Sequence, residues 1–446
     1  MARGELVISY PRLPLLASSM ETLIARALKE VETEAEVVFE VDPWLEKARI
    51  TYENREDLEQ SFSAVMSEGL DRLTDLRTAP VTFGVSGDTA KYGKICEKLS
   101  IPPVTGKLYE RTKRICESYL EKREGKLLDV LSQGWDVEVK GKKARIVSGD
   151  GAYKLPAVIR SVSLYESGRF FGFREERSGS VARGALDVRS GDDWWLLSLI
   201  SVVSSMVTIE RVERETRIVH LFFRPEYGVM YLPRDMEAYV EVMDRAADTI
   251  KRAGLYVEDM ELTRLTLLLH CYSRVENPLL YAGKPAAVKI DVIRALGRRF
   301  SEAFSETLPL DEIVVVHRAL RERYGEDSFR AAGDYAKLGY YLVLLLKRYQ
   351  ALSSELRLDR LATLYKLALR GVIEPGFTAP LELLYELRRT ITNPDYKARF
   401  IGVLAARIKS TEGLGDKEAK SRARALLDRI IGLVGEVAES APWAVG

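Results

Sequence analysis

Residues 5–53 read ELVISYPRLPLLASSMETLIARALKEVETEAEVVFEVDPWLEKARITYE, and the beginning of the fold follows from them. Apolar and polar residues alternate in three short segments, which is the pattern of strands with one buried face. A longer apolar-rich segment, which Ser18 or Ser19 can cap as a helix, lies between the first two. The predicted elements are a strand at Glu5–Tyr10, a helix ending near Val31, and strands at Glu36–Val41 and Ala48–Glu53 on either side of a turn at Asp42-Pro43.

The following residues extend this order to βαββαβ. Spaced apolar residues predict a helix over Arg55–Asp75, and a short strand is predicted over Pro80–Gly84. Many RNA-recognition modules share this ferredoxin-like order. However, Glu21–Asp75 contains 15 acidic and 6 basic side chains, and its strands lack the aromatic and basic residues on which bases stack. The segment is therefore interpreted as a scaffold or a partner-binding surface.

The rest of the chain divides into a mixed region and a helical region. A hairpin is predicted from Arg217–Arg224 and Gly228–Leu232, and from Pro233 onward the apolar spacing is almost everywhere that of helices. The predicted later helices are Lys107–Ser132, Met236–Arg252, Asp259–Tyr272, Ala286–Phe304, Leu310–Tyr324, Ser328–Tyr349, Leu356–Arg370 (with Gly371 just past its end), Pro380–Ile391, Pro394–Lys409 (capped by Asn393) and Asp416–Glu439.

The predicted fold class is α+β, with a mixed α/β N-terminal half followed by an all-α helical-bundle C-terminal half. A length of 446 residues suggests several domains. The predicted domains are a ferredoxin-like segment at 1–84, a basic α/β region with hairpins at 85–234, a helical domain at 235–354 and a C-terminal helical bundle at 355–446.

The composition indicates a globular protein from a hot environment. Charged residues make up 30% of the chain, whereas asparagine and glutamine occur three times each, which is typical of hyperthermophile proteins and suggests an archaeal source. The cysteines are scattered and the N-terminus lacks a signal-peptide core, so a cytoplasmic location is expected. The uncharged run Trp194–Ile209 has 16 residues. It is short for a membrane span and predicts a buried helix, with Asp192 and Asp193 available to cap it and no membrane role.

Residues 157–195, AVIRSVSLYESGRFFGFREERSGSVARGALDVRSGDDWW, combine aromatic rings with arginine. Alternation around an internal Glu-Ser-Gly turn predicts a hairpin, followed by a basic loop. Bases stack on aromatic rings while guanidinium groups bind phosphate, so this pattern suits a nucleic-acid strand. The candidate nucleic-acid-binding residues are Arg169, Phe171, Phe173, Arg174, Arg177 and Arg183. The alternative is a half-buried, phenylalanine-rich hairpin whose arginines are only solvated.

A second candidate contact is a lysine-rich turn. Strand-like residues Trp135–Val139 and Ala144–Val147 enclose the sequence KGKK, which places Lys140, Lys142 and Lys143 at the tip of a tight hairpin. These lysines could bind phosphate, or they could only protect a sheet edge from pairing. The arginine-rich stretch and the lysine-rich turn both lie in the basic part of the chain, because Arg77–Arg189 contains 22 basic and 14 acidic side chains.

No catalytic motif is visible, and neither a cofactor nor a metal site is predicted. The three histidines, His220, His270 and His317, are each isolated in apolar segments, where a structural imidazole is the expected role. Residues 84–94, GVSGDTAKYGK, lack the spacing of a phosphate-binding P-loop. The chain is therefore not expected to be an enzyme.

In this general plan the chain resembles the large subunit of archaeal type I CRISPR surveillance (Cascade) complexes, especially subtype I-A. The similarity covers most of the length, and the helical residues 356–439 match the helical C-terminal domain of such subunits, but no diagnostic motif carries it. It implies a non-catalytic role in antiviral defence: holding the guide-RNA end, recognising the motif that flanks the target DNA, and helping to open the duplex. The implied partners are guide RNA, target DNA, a repeated backbone subunit, a small subunit and a separate helicase-nuclease.

Two other functions stay open at this point. The chain could be a stand-alone archaeal RNA-binding or RNA-processing factor, which would bind single strands tightly by itself. It could also be a metal-dependent nuclease whose site is assembled from carboxylates that are distant in sequence.

Overall fold

In a computed structural model of the chain, the residues described are 3–75, 86–102, 104, 106, 108–140, 143–159, 186–212, 215–253, 255, 259–275, 277–278, 281, 285–296, 299–374 and 380–439. The chain forms two compact units. The first comprises Met1–Met243 and Lys284–Thr307, and the second comprises Asp244–Gly283 and Leu308–Gly446.

The described elements confirm the α+β class, with a mixed N-terminal half and a mainly helical C-terminal half. The strands are β1 (Gly4–Pro11), β2 (Ala35–Val41), β3 (Leu45–Tyr52), β4 (Asp136–Lys140), β5 (Lys143–Val147), β6 (Tyr153–Lys154), β7 (Leu186–Ser190), β8 (Met206–Val212), β9 (Glu215–Pro225), β10 (Met230–Tyr231), β11 (Ala286–Leu296) and β12 (Arg299–Pro309). The helices are α1 (Pro14–Lys29), α2 (Arg55–Asp75), α3 (Ser86–Lys98), α4 (Leu108–Lys122), α5 (Leu127–Ser132), α6 (Asp192–Ser204), α7 (Pro233–Ala253), α8 (Met260–Tyr272), α9 (Glu312–Tyr324), α10 (Ser328–Arg348), α11 (Ser353–Leu356), α12 (Leu358–Ile373), α13 (Pro380–Thr392), α14 (Pro394–Glu412) and α15 (Asp416–Glu439).

The first sheet has the strand order β1-β3-β2-β10, with antiparallel pairing throughout. The predicted order strand, helix, strand, strand, helix is confirmed, whereas the predicted strand Pro80–Gly84 lies outside the described residues. The predicted serine cap is wrong. The first helix starts at Pro14, so Ser18 and Ser19 lie within it, and the Ser19 hydroxyl donates to the Leu15 carbonyl at 2.6 Å. Proline at the first turn explains the earlier start, because its missing N–H is not needed there.

The second sheet has the order β12-β11-β9-β8 and corrects two predictions. Residues 286–296 and 299–304 are strands, not a helix: buried Val288, Ile290 and Val292 alternate with charged residues, and β-branched side chains favour strands. The predicted pairing of Arg217–Arg224 with Gly228–Leu232 is also wrong. The former belongs to β9, which pairs with β8 and β11, and the latter contains β10, which pairs with β2.

The uncharged segment forms the predicted buried helix, which ends at Ser204 where β8 follows. Its serines are satisfied locally: the Ser198 hydroxyl donates to the Trp194 carbonyl at 2.6 Å, and Ser204 donates to Ile200 at 2.8 Å. A Cβ added at Gly69 would lie 2.0 Å from the Ser204 hydroxyl oxygen, so the Arg55–Asp75 helix packs closely against it. Across the ranges listed above, no helix has the length and apolar character that a membrane crossing requires.

The predicted helix Lys107–Ser132 is two helices. The first ends at Lys122 and the second begins at Leu127. Gly125 in the connection has a φ of +70°, which a residue inside an α-helix does not adopt. The helices therefore separate at the one residue of this segment that tolerates a left-handed backbone at no steric cost.

The helices of the second unit match their predictions best. Asn393 caps the helix Pro394–Glu412, as predicted, because its side-chain oxygen accepts from the backbone N–H groups of Asp395 and Tyr396 at 2.9 and 3.1 Å. Gly371 is not past the end of a helix: it is buried within Leu358–Ile373, where tertiary packing overrides its low helix propensity.

Candidate nucleic-acid interface

Most of the candidate residues cannot be placed. Arg169, Phe171, Phe173, Arg174, Arg177 and Arg183 all fall between residues 160 and 185, which lie outside the described residues, as does Lys142. For Lys140 and Lys143 the structure describes the backbone alone. What it does describe is the sheet whose strands β6 and β7 flank this arginine-rich segment (residues 160–185) in sequence. The same sheet carries the lysine hairpin (residues 136–147).

The lysine hairpin is confirmed as a hairpin. The strand Asp136–Lys140 pairs antiparallel with Lys143–Val147, and the register places Lys140 opposite Lys143. Two residues therefore connect the strands, which is the shortest common hairpin loop and suits the Gly-Lys sequence at this turn. The strand begins one residue later than predicted. Trp135, just before it, is buried and packs edge-on against Trp194 with their ring centroids 5.5 Å apart.

In sequence, the arginine-rich segment lies between two strands, β6 and β7, of one sheet, whose strand order is β4-β5-β7-β6. Before the segment, Tyr153 in β6 pairs with Ser190, and Ile159 is fully buried. After it, Leu186 begins β7, which runs parallel to β5. The register places Leu186 beside Ala144, the residue that follows Lys143. The end of the segment and the lysine hairpin are therefore neighbours in one sheet.

Several cations near this sheet are already neutralised by acids. Arg189 contacts Asp187 at 2.8 Å, and Lys98 contacts Asp150 at 2.7 Å and Asp192 at 3.4 Å. The hydrogen bond that the Lys98 amine donates to Asp150 raises the pKa of Lys98, so this amine stays charged. Such pairs are structural or solvated contacts, and they are poor candidates for binding phosphate.

The two aspartates at the start of the buried helix have a different role from the predicted one. Gly191 occupies the cap position, and neither Asp192 nor Asp193 caps the helix with its side chain. Asp193 instead accepts two hydrogen bonds from Arg123, at 2.8 and 3.1 Å. Both acids lie in the first turn of the helix, where their negative charge interacts favourably with the positive end of the helix dipole.

Two exposed cations of this sheet make no acid contact among the described residues: Arg145 and Lys154. Arg145 stands between Glu138 and Asp187 in register, with a guanidinium nitrogen 3.7 Å from a Cβ placed at Gly151. The main chain of Lys154 accepts hydrogen bonds from the Lys91 amine and the Trp195 indole, which fix the backbone beneath its side chain. These two residues were not among the candidates named from the sequence, because whether an arginine or lysine is paired with an acid depends on which acids the fold brings near it.

A buried cluster of acids from distant parts of the sequence lies elsewhere in the first unit. Glu21 is fully buried, and its carboxylate accepts from Arg224 at 2.9 Å and from the Tyr227 hydroxyl at 3.0 Å. Burial, with a further contribution from nearby Glu46, raises the pKa of Glu21 despite the favourable charge of Arg224. Perturbed carboxylates of this kind occur at active sites, but structural ion pairs produce them as well.

The geometry favours a structural role for this Glu21 cluster. Both oxygens of Glu21 have partners, and the Ser18 hydroxyl accepts from Arg224 at 3.0 Å. The contacts tie the first helix to the end of β9 and the turn that follows it. Within the part of the chain that the structure describes, no three His, Cys, Asp or Glu side chains are grouped so that they could hold a metal.

The histidines lie as a structural role requires. His220 is fully buried, and burial lowers its pKa to about 3, so the imidazole is neutral. His270 and His317 are half-buried, and burial followed by neighbouring arginines lowers the pKa of each. No nucleophile is hydrogen-bonded to an acid-paired imidazole among the described side chains, which is the arrangement that nucleophilic catalysis uses.

The sequence matches no protein-family model, and no curated protein is significantly similar to it.

Proposed function

We propose that the chain is a non-catalytic, nucleic-acid-binding large subunit of a CRISPR RNA-guided surveillance complex, acting in the cytoplasm. The observation that supports the binding role most directly is the register of the β4-β5-β7-β6 sheet. It brings the lysine hairpin next to the end of the segment that carries Arg169 to Arg183. We infer that these two cationic stretches, which are separated in sequence, form one surface for phosphate.

The chemistry of these stretches fits a single strand better than a duplex. Phe171 and Phe173 offer flat rings on which unstacked bases can lie, whereas bases inside a duplex are not available for stacking. The arginines and lysines supply the phosphate contacts that determine most of the affinity. The resemblance to CRISPR large subunits then assigns guide RNA and opened target DNA as the strands, and the remaining Cascade subunits as partners.

Replacement of Arg169, Arg174 and Arg177 by alanine tests the binding role. We expect weaker binding of a fluorescein-labelled single-stranded RNA in anisotropy titrations, and a salt slope shallower by about 2, since each lost phosphate contact on a single strand removes about 0.7. The matched control replaces exposed Arg407, Arg424 and Arg429 of the second unit by alanine, which changes the net charge equally. An arginine-rich-segment variant with the affinity of the control would refute the binding role.

The place in a complex is tested by purification from the native host. We expect a tagged chain to bring down a repeated backbone subunit and RNAs that share a constant repeat-derived end. Recovery of the chain alone with heterogeneous RNA would favour a stand-alone RNA-binding factor. Metal-dependent cleavage of RNA or DNA by the isolated chain would favour the nuclease instead.

A further inference from the structure

We propose that the second unit contains a site for a small phosphate-bearing anion, independent of the nucleic-acid surface of the first unit. A cleft of about 610 Å³ lies between the start of helix Leu358–Ile373, the end of Pro380–Thr392 and the start of Pro394–Glu412. Its charged lining is Arg357, Arg360, Arg389, Arg399, Glu386 and Asp395. The sequence carries no local signal that distinguishes these arginines from other cations on exposed helix surfaces.

The charge of the cleft sets the class of ligand. Four arginines and two acids leave a formal charge of +2, which matches one phosphate ester or a diphosphate. A polynucleotide strand would need a longer row of cations to follow successive phosphates. The volume lies within the range of small-molecule sites. A discrete phosphorylated ligand therefore fits both the charge and the size.

Glu386 positions two of the arginines. One of its carboxylate oxygens lies 3.2 Å from a guanidinium nitrogen of Arg360, on the preceding helix, and the other lies 2.7 Å from Arg389, one turn along the same helix. More than half of the side-chain surface of each of these two arginines is exposed. A guanidinium has five N–H donors, so each arginine retains donors for an incoming anion.

The other two arginines have no acid partner among the residues described. Arg399 is exposed on the helix Pro394–Glu412, six residues after its cap. Arg357 is exposed in the connection between two helices, and its side chain is close enough to Tyr396 for its charge to lower the pKa of that hydroxyl, against a larger raising effect of burial. These two cations carry the unbalanced charge of the cleft.

The backbone of Arg357 gives independent support. Its φ and ψ are 53° and 31°, in the left-handed region that glycine or asparagine usually occupies. A tyrosine holds this connection from inside the fold, because the Tyr396 hydroxyl donates to the Leu356 carbonyl at 2.9 Å. Strained residues of this kind cluster at ligand-binding sites. An arginine at a position where glycine or asparagine would be more stable is explained if its guanidinium binds a ligand.

Isothermal titration of the full chain with sodium pyrophosphate tests the site, with a single-stranded 20-mer RNA titrated in parallel. We expect pyrophosphate to bind, and Arg357→Asn and Arg399→Gln each to weaken it about tenfold or more, as for loss of a charge-assisted hydrogen bond. Arg407→Gln, on the same helix as Arg399 but outside the cleft, should change the affinity less than twofold.

The stability of the variants separates binding from folding. Asparagine tolerates the left-handed backbone, so Arg357→Asn should leave the melting temperature unchanged or slightly raised while it weakens pyrophosphate binding. Absence of pyrophosphate binding by the wild-type chain would overturn the proposal. So would weakening of RNA binding by Arg357→Asn with pyrophosphate binding unchanged, since the cleft would then be a strand contact.

Discussion

Replacement of His220 by asparagine probes a buried imidazole that resists protonation. His220 is fully buried in β9, and its Nδ1 lies 3.0 Å from the Ser205 hydroxyl oxygen. Because that hydroxyl donates to the Val202 carbonyl at 2.8 Å, Nδ1–H is the donor to Ser205. No hydrogen-bond partner of Nε2 exists among the described groups. Protonation at Nε2 would therefore place an unsolvated, unpaired N–H in the core.

The neighbouring charges do not relieve this cost. Asp291 stands opposite His220 in register, but its carboxylate accepts from Lys289 at 2.8 Å and from Ser305 at 2.7 Å. The ring of His220 stacks on Phe222, with 5.5 Å between centroids and 7° between planes, which offers no acceptor. Burial thus lowers the pKa of His220 from its ordinary value of 6.5 to about 3.

The size of the effect follows from linkage. Above pH 6.5 the imidazole is neutral in both the folded and the unfolded chain. Below pH 6.5 the unfolded chain binds a proton that the folded chain does not, so the free energy of unfolding decreases as the pH is lowered. With about 1.36 kcal/mol per pKa unit, His220 should cost about 2.5 kcal/mol of unfolding free energy between pH 7 and pH 4.5. A non-titrating asparagine at position 220 lacks this term, whatever its effect at neutral pH.

Urea unfolding at the two pH values measures the difference between wild type and His220→Asn. Tryptophan fluorescence reports mainly on the correct unit, because four of the five tryptophans (Trp44, Trp135, Trp194 and Trp195) belong to the first unit, whereas Trp443 belongs to the second. We expect the wild-type advantage to shrink, or its deficit to grow, by about 2.5 kcal/mol on going to pH 4.5. A change below about 0.5 kcal/mol would show that the folded imidazole titrates normally.

Two further predictions concern packing and a buried acid. Gly339→Ala should destabilise the second unit by about 1–3 kcal/mol, because the added Cβ would lie 2.4 and 2.5 Å from two hydroxyl oxygens. Gly432→Ala, where the added Cβ meets open space, should stabilise the unit by up to about 1 kcal/mol. Equal shifts of the calorimetric melting temperature in the two variants would contradict these predictions. Glu21→Gln should gain stability relative to wild type as pH rises above 4.5, because the raised pKa of Glu21 means that ionisation opposes folding. A pH-independent difference in urea titrations would show that Arg224 compensates the buried charge fully.

Elements defined by local signals could be predicted from the sequence. The helix Asp416–Glu439 has the predicted bounds, and Asn393 caps its helix through contacts to residues two and three positions away. Both depend on residues within one or two turns, which sequence periodicity records. The lysine hairpin was predictable for the same reason, because its two strands are joined by two residues.

The failures are those that depend on distant partners. Met230–Tyr231 pairs with Val37–Val38, and no local pattern indicates a partner almost two hundred residues away. Residues 286–304 mix alanine, arginine and phenylalanine at spacings that suit a helix. Pairing of β11 with β9, and of β12 with β11, nevertheless makes residues 286–296 and 299–304 strands. The free charge of Arg145 and the unbalanced charge at Arg357 also depend on which acids fold nearby. Composition could not separate these residues from other surface cations.

Zero-length ultraviolet crosslinking of the purified chain to single-stranded RNA, followed by mass spectrometry of the crosslinked peptides, tests the binding surface most directly. The proposed binding surface predicts crosslinks at Phe171 and Phe173, with further adducts in the peptide that contains Lys140 to Lys143. Crosslinks confined to peptides outside residues 136–195 would contradict it, and the rings between residues 160 and 185 would then have no role in holding a strand.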